Sequence, residues 1–296
     1  MNYDFYTAPP DYGSYRRKLR ELKRDFPFLQ VGSIGRTLLG RNIYALTLGA
    51  ASPSTIFVGT LQAQDGLTCS LLMRFLEHLS LSYAQQTSIA GSLVNGSLMN
   101  RGITVIPMAN PDGASIVMEG AASAGNMASF AEGLQSASPA QWEANARGVE
   151  LSRNFSSAFL ERKQLEADEG IRGPSPSGYG GSFPHSEPES RALIRLLQSR
   201  RIESLYDFQL GGESIQGENG AYTPAQSRYI AGTLSRVSGL RIQHDPDITG
   251  GLKDYFIERF RRPAFTVKVA PSGTGISGLE SLYARLTELL TAAAVL

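Results

Sequence analysis

Residues 57–79 read FVGTLQAQDGLTCSLLMRFLEHL. The stretch opens as the end of a buried apolar strand and crosses a short polar loop. It then continues as an amphipathic helix, with Leu67, Leu71, Leu72, Phe75, Leu76 and Leu79 at helical spacing. Strand, tight loop and helix in that order form the repeating unit of an α/β sheet, and loops at strand ends are where such sheets carry their chemistry. This loop offers two amides, Gln62 and Gln64, and one carboxylate, Asp65.

The rest of the chain fits that unit. Of 296 residues, 42% are hydrophobic and 19% charged, and the formal net charge is +1. Charges of both signs are interspersed, which gives no footprint of a nucleic-acid or anionic-membrane binder. The single cysteine, Cys69, excludes an internal disulfide and a thiolate zinc site, and reads as a small buried hydrophobe. MNYDFYTAPPDYGSYRRKL has no basic-then-apolar leader pattern, and no apolar run approaches the roughly 18 residues of a membrane span. A soluble, cytoplasmic protein is the expectation.

Periodicity predicts helices at 14–25, 67–83, from Ser186, about 224–238, in KDYFIERF and at 277–294. Strands are expected at 42–48, 54–59, 102 onwards, 204–210 and 264–270. The turn composition GAASPS between the first two predicts a hairpin, and Pro111–Gly113 reads as a turn. Ser186 with Glu189 predicts a capping box. Residues 119–182 read as loop-rich. Alternating strands and helices imply one domain over 1–296, with a helical lead-in at 1–26 and a mixed sheet covered on both faces.

Several blocks carry a resemblance. VGSIGRTLLGRNIYALTLG, VIPMANPDG, WEANARGVELSRNF, GYGGSFPHSEPESRAL and GGLKDYFIERFRRPAFTVKV resemble, in order, the blocks of the zinc carboxypeptidase family. They are most similar to its bacterial branch that cleaves γ-D-glutamyl-diaminopimelate bonds in cell-wall stem peptides. The resemblance implies a single-domain, three-layer α/β fold around a central mixed, twisted sheet of about eight strands with helices on both faces. It also implies one zinc held by two histidines and a glutamate, with a second glutamate as general base for the metal-bound water.

Carried over position by position, the resemblance puts Gln62, Asp65 and Gln209 where the family has its metal ligands, and Lys268 where it has the base. Gly66 replaces a tryptophan. A neutral amide is a poor zinc ligand beside imidazole, and aspartate is shorter than glutamate. At about 4 Å and an effective dielectric of about 20, a unit positive charge beside a dication costs on the order of 8 kcal/mol. No cofactor is therefore expected. His78, His185 and His244 lack ligand spacing and read as surface or loop residues.

Arg153 matches an arginine that holds the substrate's terminal carboxylate in the family, a task suited to a planar bidentate donor. Ser152 replaces its asparagine neighbour, and Arg147 is matched with a structural role equally open. Gln216 and Gly217 replace an aromatic pair. The expected function is a catalytically inactive relative that binds a peptide, a cell-wall stem peptide or a protein partner. The alternatives are an active or residual metallopeptidase acting on C-terminal or γ-D-glutamyl bonds, a Ser–Lys enzyme built on Ser214 and Lys268, and a purely structural protein. An ion pair between Lys268 and Asp65 is expected to fill the place of the metal.

Overall fold

The computed structural model describes residues 5–135, 142–218, 220–244 and 250–296. In chain order the helices are α1 (Tyr12–Asp25), α2 (Gly66–Gln85), α3 (Val94–Ser97), α4 (Pro111–Glu119), α5 (Ala128–Leu134), α6 (Phe159–Asp168), α7 (Pro188–Ser199), α8 (Ala225–Ser238), α9 (Leu252–Phe260) and α10 (Leu279–Val295). The strands are β1 (Gln30–Arg36), β2 (Asn42–Gly49), β3 (Ser54–Val58), β4 (Ser88–Ile89), β5 (Ser92–Leu93), β6 (Gly102–Ile106), β7 (Ile202–Gln209), β8 (Ser214–Gln216), β9 (Arg241–Ile242) and β10 (Ala264–Lys268). β4 and β5 form a small separate ribbon.

The main sheet has eight strands in the order β1-β2-β6-β3-β7-β10-β8-β9. β6, β3, β7 and β10 run parallel, with antiparallel β2 and β8 on either side. Every residue of β3 and β6 is buried, as expected of parallel strands covered on both faces. Successive side chains serve opposite layers. Phe57 packs with residues of α1, α2, α8 and α10, and its neighbours Ile56 and Val58 pack with residues of α7 and α9. The α/β fold with a mixed eight-stranded sheet agrees with the sequence reading.

Four local readings change. β2 and β3 do not form a hairpin, because β6 lies between them, antiparallel to β2 and parallel to β3. Pro111–Gly113 is the first turn of α4, not a free turn. Asn110 caps it by accepting from Gly113 N at 3.0 Å, and Pro at the first helical position lacks only an N–H that would have no partner there. The capping box at Ser186 is absent: α7 begins at Pro188, and Ser186 Oγ donates to Glu187 Oε1 at 2.8 Å. The 119–182 stretch contains α5 and α6; part of it, residues 136–141, lies outside the described residues. Among the described residues, no helix is long and apolar enough to cross a membrane.

Candidate functional site

The parallel strands end on one edge of the sheet, and all the predicted positions but Asp65 and Arg147 gather there. Gln209 and Lys268 are the last residues of β7 and β10 and are direct register partners. Gln62 reaches the same edge from the loop after β3. That loop is held closely. Gly59 N donates to Ile106 O at 2.9 Å, and a Cβ at Gly59 would come within 2.9 Å of Pro107 O, so only glycine fits. Thr60 takes a left-handed φ of 48°, and its hydroxyl donates to Asp65 O at 3.1 Å.

Gln62, Gln209 and Lys268 line one concavity of about 220 Å³, together with Ser152, Arg153, Arg162, Glu150, Asp207 and Gln216. Asp65 is not on this lining. It is fully buried at the start of α2, with Oδ2 accepting from Leu210 N at 3.2 Å and Oδ1 without a hydrogen-bond partner. Burial raises its pKa well above the ordinary carboxylate value, reinforced by Asp207, Glu143 and Glu150 and opposed by the Leu210 amide.

The expected Lys268–Asp65 ion pair is therefore not formed. Asp65 turns inward to join α2 to the end of β7, while Lys268 stays half-buried at the pocket. Among the described residues, Lys268 Nζ has no hydrogen-bond or ion-pair partner, and its stem lies along Gly212, whose Cβ position is 3.5 Å from Lys268 Cδ. Ser214 faces Lys268 in the β8–β10 register, yet its hydroxyl donates to Gln243 Oε1 at 3.1 Å, so no Ser–Lys contact exists.

Glu150, which sequence reasoning passed over, organises one wall. Its Oε1 accepts from Ser152 Oγ at 2.6 Å and from Gln62 Nε2 at 3.3 Å, and Arg153 Nε lies 2.9 Å away. Its Oε2 accepts from Gly178 N at 2.7 Å. Burial opposes its charge, but Arg153 and these donors outweigh burial and lower its pKa below the ordinary value. Arg153 and Ser152 thus both direct a polar group at Glu150. Arg147 is outside the pocket, with Nε 3.6 Å from Glu187 Oε2.

Asp207 was also missed. It is buried, Oδ2 accepts from Gln209 Nε2 at 2.7 Å, and Oδ1 has no partner. Burial pushes its pKa up to about 7, with the Gln209 amide pulling the other way. A signal existed: a lone Asp in the apolar run SLYDFQL, two residues before Gln209 and so on the same strand face. Arg162 had no such signal, because its helix falls in a stretch that reads as loop. Beside the pocket, Gln64 Nε2 donates to Glu143 Oε1 at 2.7 Å, and burial and Glu150 push Glu143 up to about 7.

The histidines are scattered. His78 Nδ1 meets Tyr283 Oη at 2.6 Å, His185 Nε2 accepts from Ser156 N at 3.1 Å, and His244 Nδ1 lies 3.1 Å from Glu218 Oε2. Cys69 is buried, and burial raises its thiol pKa. Among the described residues, no three His, Cys, Asp or Glu side chains group as metal ligands.

The zinc carboxypeptidase family profile matches residues 15–228. The chain belongs to the zinc carboxypeptidase family. It is 31% identical over 279 residues to the gamma-D-glutamyl-L-diamino acid endopeptidase 1 of Lysinibacillus sphaericus, covering 92% of this chain and 69% of that protein. Bovine thrombin-activatable fibrinolysis inhibitor shares the fold, with a TM-score of 0.75 at 15% identity over 98% of both chains. The murein-tripeptide amidase of Escherichia coli O157 shares it at a TM-score of 0.54 and 16% identity, over 88% of this chain and 91% of that one.

Proposed function

We propose that this member of the zinc carboxypeptidase family is non-catalytic and uses the sheet-edge pocket to bind the end of a peptide. One observation carries the reading: among the described residues the ammonium of Lys268, which lines the pocket beside its register partner Gln209, has no counter-ion. The donor set does not fit zinc. The two amides are neutral, and Asp65 is turned to the Leu210 amide, off the pocket lining. A dication beside Lys268 meets charge repulsion where a general base would have to accept a proton. With no metal and no base, what the pocket offers a ligand is its concavity and the cations Lys268, Arg153 and Arg162. Relatives named for a γ-D-glutamyl-diamino acid and for a murein tripeptide support a peptide, including a cell-wall stem peptide, as the ligand class.

The test is a metal analysis of the purified full chain after zinc exposure and dialysis, beside hydrolysis assays on C-terminal and γ-D-glutamyl peptides with zinc added. Background zinc and no turnover are expected. Zinc-dependent turnover that vanishes in Asp65→Ala overturns the reading.

A further inference from the structure

Several buried or half-buried cations of the chain have anions, while Arg101 and Arg200 donate to backbone and hydroxyl oxygens instead. Lys18 lies 2.7 Å from Glu77, Arg41 2.8 Å from Asp112 and Lys253 2.7 Å from Asp254. Two cations of the pocket have neither kind of acceptor among the described residues. Among the described residues, neither Lys268 nor Arg162 has an ion-pair partner, and both line the same concavity. Arg162 Nε is moreover buried with no hydrogen-bond partner. Burial and then the nearby Arg153 charge lower the pKa of the Arg162 guanidinium, and Glu150, Glu169 and Glu166 offset this only partly. Asp207 Oδ1, on the same lining, is also buried without a partner. Two cations facing one concavity without acceptors are what an anionic ligand entering it would meet.

We propose that the pocket receives a peptide end carrying two carboxylates, as in a C-terminal aspartate or glutamate, with Arg162 and Lys268 each supplying one counter-ion. The inference rests on the peptide-binding reading above and names the ligand class of that site. A single carboxylate would leave one of the two cations unpaired. The cavity of about 220 Å³ holds roughly seven waters' volume, which suits one residue and excludes a folded domain. Arg162 offers a planar fork from α6 and Lys268 a point charge from β10, so the two anionic groups meet different donors.

Calorimetric titration of the full chain, in metal-free buffer near pH 7, tests this with three tripeptides: Ala-Ala-Asp, the shape-matched Ala-Ala-Asn, and Ala-Ala-Asp with an amidated C-terminus. Inorganic phosphate is a fourth probe. Ala-Ala-Asp is expected to bind at least about tenfold more tightly than either singly charged peptide. Arg162→Gln and Lys268→Gln, each confirmed as folded by its thermal melt, are expected to reduce that preference to about twofold or less. Equal binding of the Asp and Asn peptides overturns the diacid inference while leaving peptide binding intact. Survival of the preference in both variants overturns the two assigned residues, and phosphate binding without peptide binding overturns a peptide ligand. Zinc-dependent cleavage of the peptides defeats the non-catalytic reading alone, since the preference can persist beside it.

Discussion

Asp207→Asn tests the electrostatics of the pocket from the stability side. The native carboxyl is 1% exposed, and burial pushes its pKa up to about 7. In the unfolded chain the value returns to about 3.9. Between those limits the folded protein keeps a proton that the unfolded chain has lost, so stability falls as pH rises and the loss is complete above the folded value. Each pH unit in that window is worth about 1.4 kcal/mol, so raising the pH from about 5.5 to about 8 costs the wild type about 2 kcal/mol through Asp207. Glu189, raised to about 8, and Glu143, raised to about 7, slope the same way. Subtracting the variant from the wild type cancels most of what these two contribute. Urea unfolding at the two pH values is the assay. The variant is expected to lose about 2 kcal/mol less than the wild type over the interval, with the same m-value. Parallel pH dependences in the two proteins would refute an Asp207 that holds its proton to neutrality.

Other outcomes follow from the same contacts. Asp112→Ala removes a fully buried carboxylate that accepts from Thr37 Oγ1 at 2.9 Å, Leu39 N at 3.0 Å and Arg41 Nη1 at 2.8 Å. A loss of about 3–5 kcal/mol is expected in denaturant melts. Glu150→Gln places an amide against the Gly178 N–H, the Ser152 hydroxyl and Arg153. It is expected to cost about 2–3 kcal/mol by the same measurement. Adding zinc to the wild type is expected to move Tm by less than about 1 °C, since only a ligand bound to the folded state raises it.

The sequence by itself determined the layers of this protein. Apolar spacing at Leu67–Leu79 and the short β-branched, mostly apolar runs of β3 and β6 dictate a buried sheet with helices against it, because period and composition are local properties of the chain. It also placed Gln62, Gln209 and Lys268, since strand ends and motif blocks fix positions along the chain, and those three meet at one sheet edge. Tertiary structure decided what the chain cannot encode locally. Strand neighbours depend on long-range pairing, so β6 separates β2 from β3 despite a turn-like GAASPS. The partner of a charge depends on which group lies closest in space. Asp65 therefore faces Leu210 rather than Lys268, and Glu150 takes Arg153. Lys268 and Arg162, far apart in sequence, line one pocket, both without an ion-pair partner among the described residues.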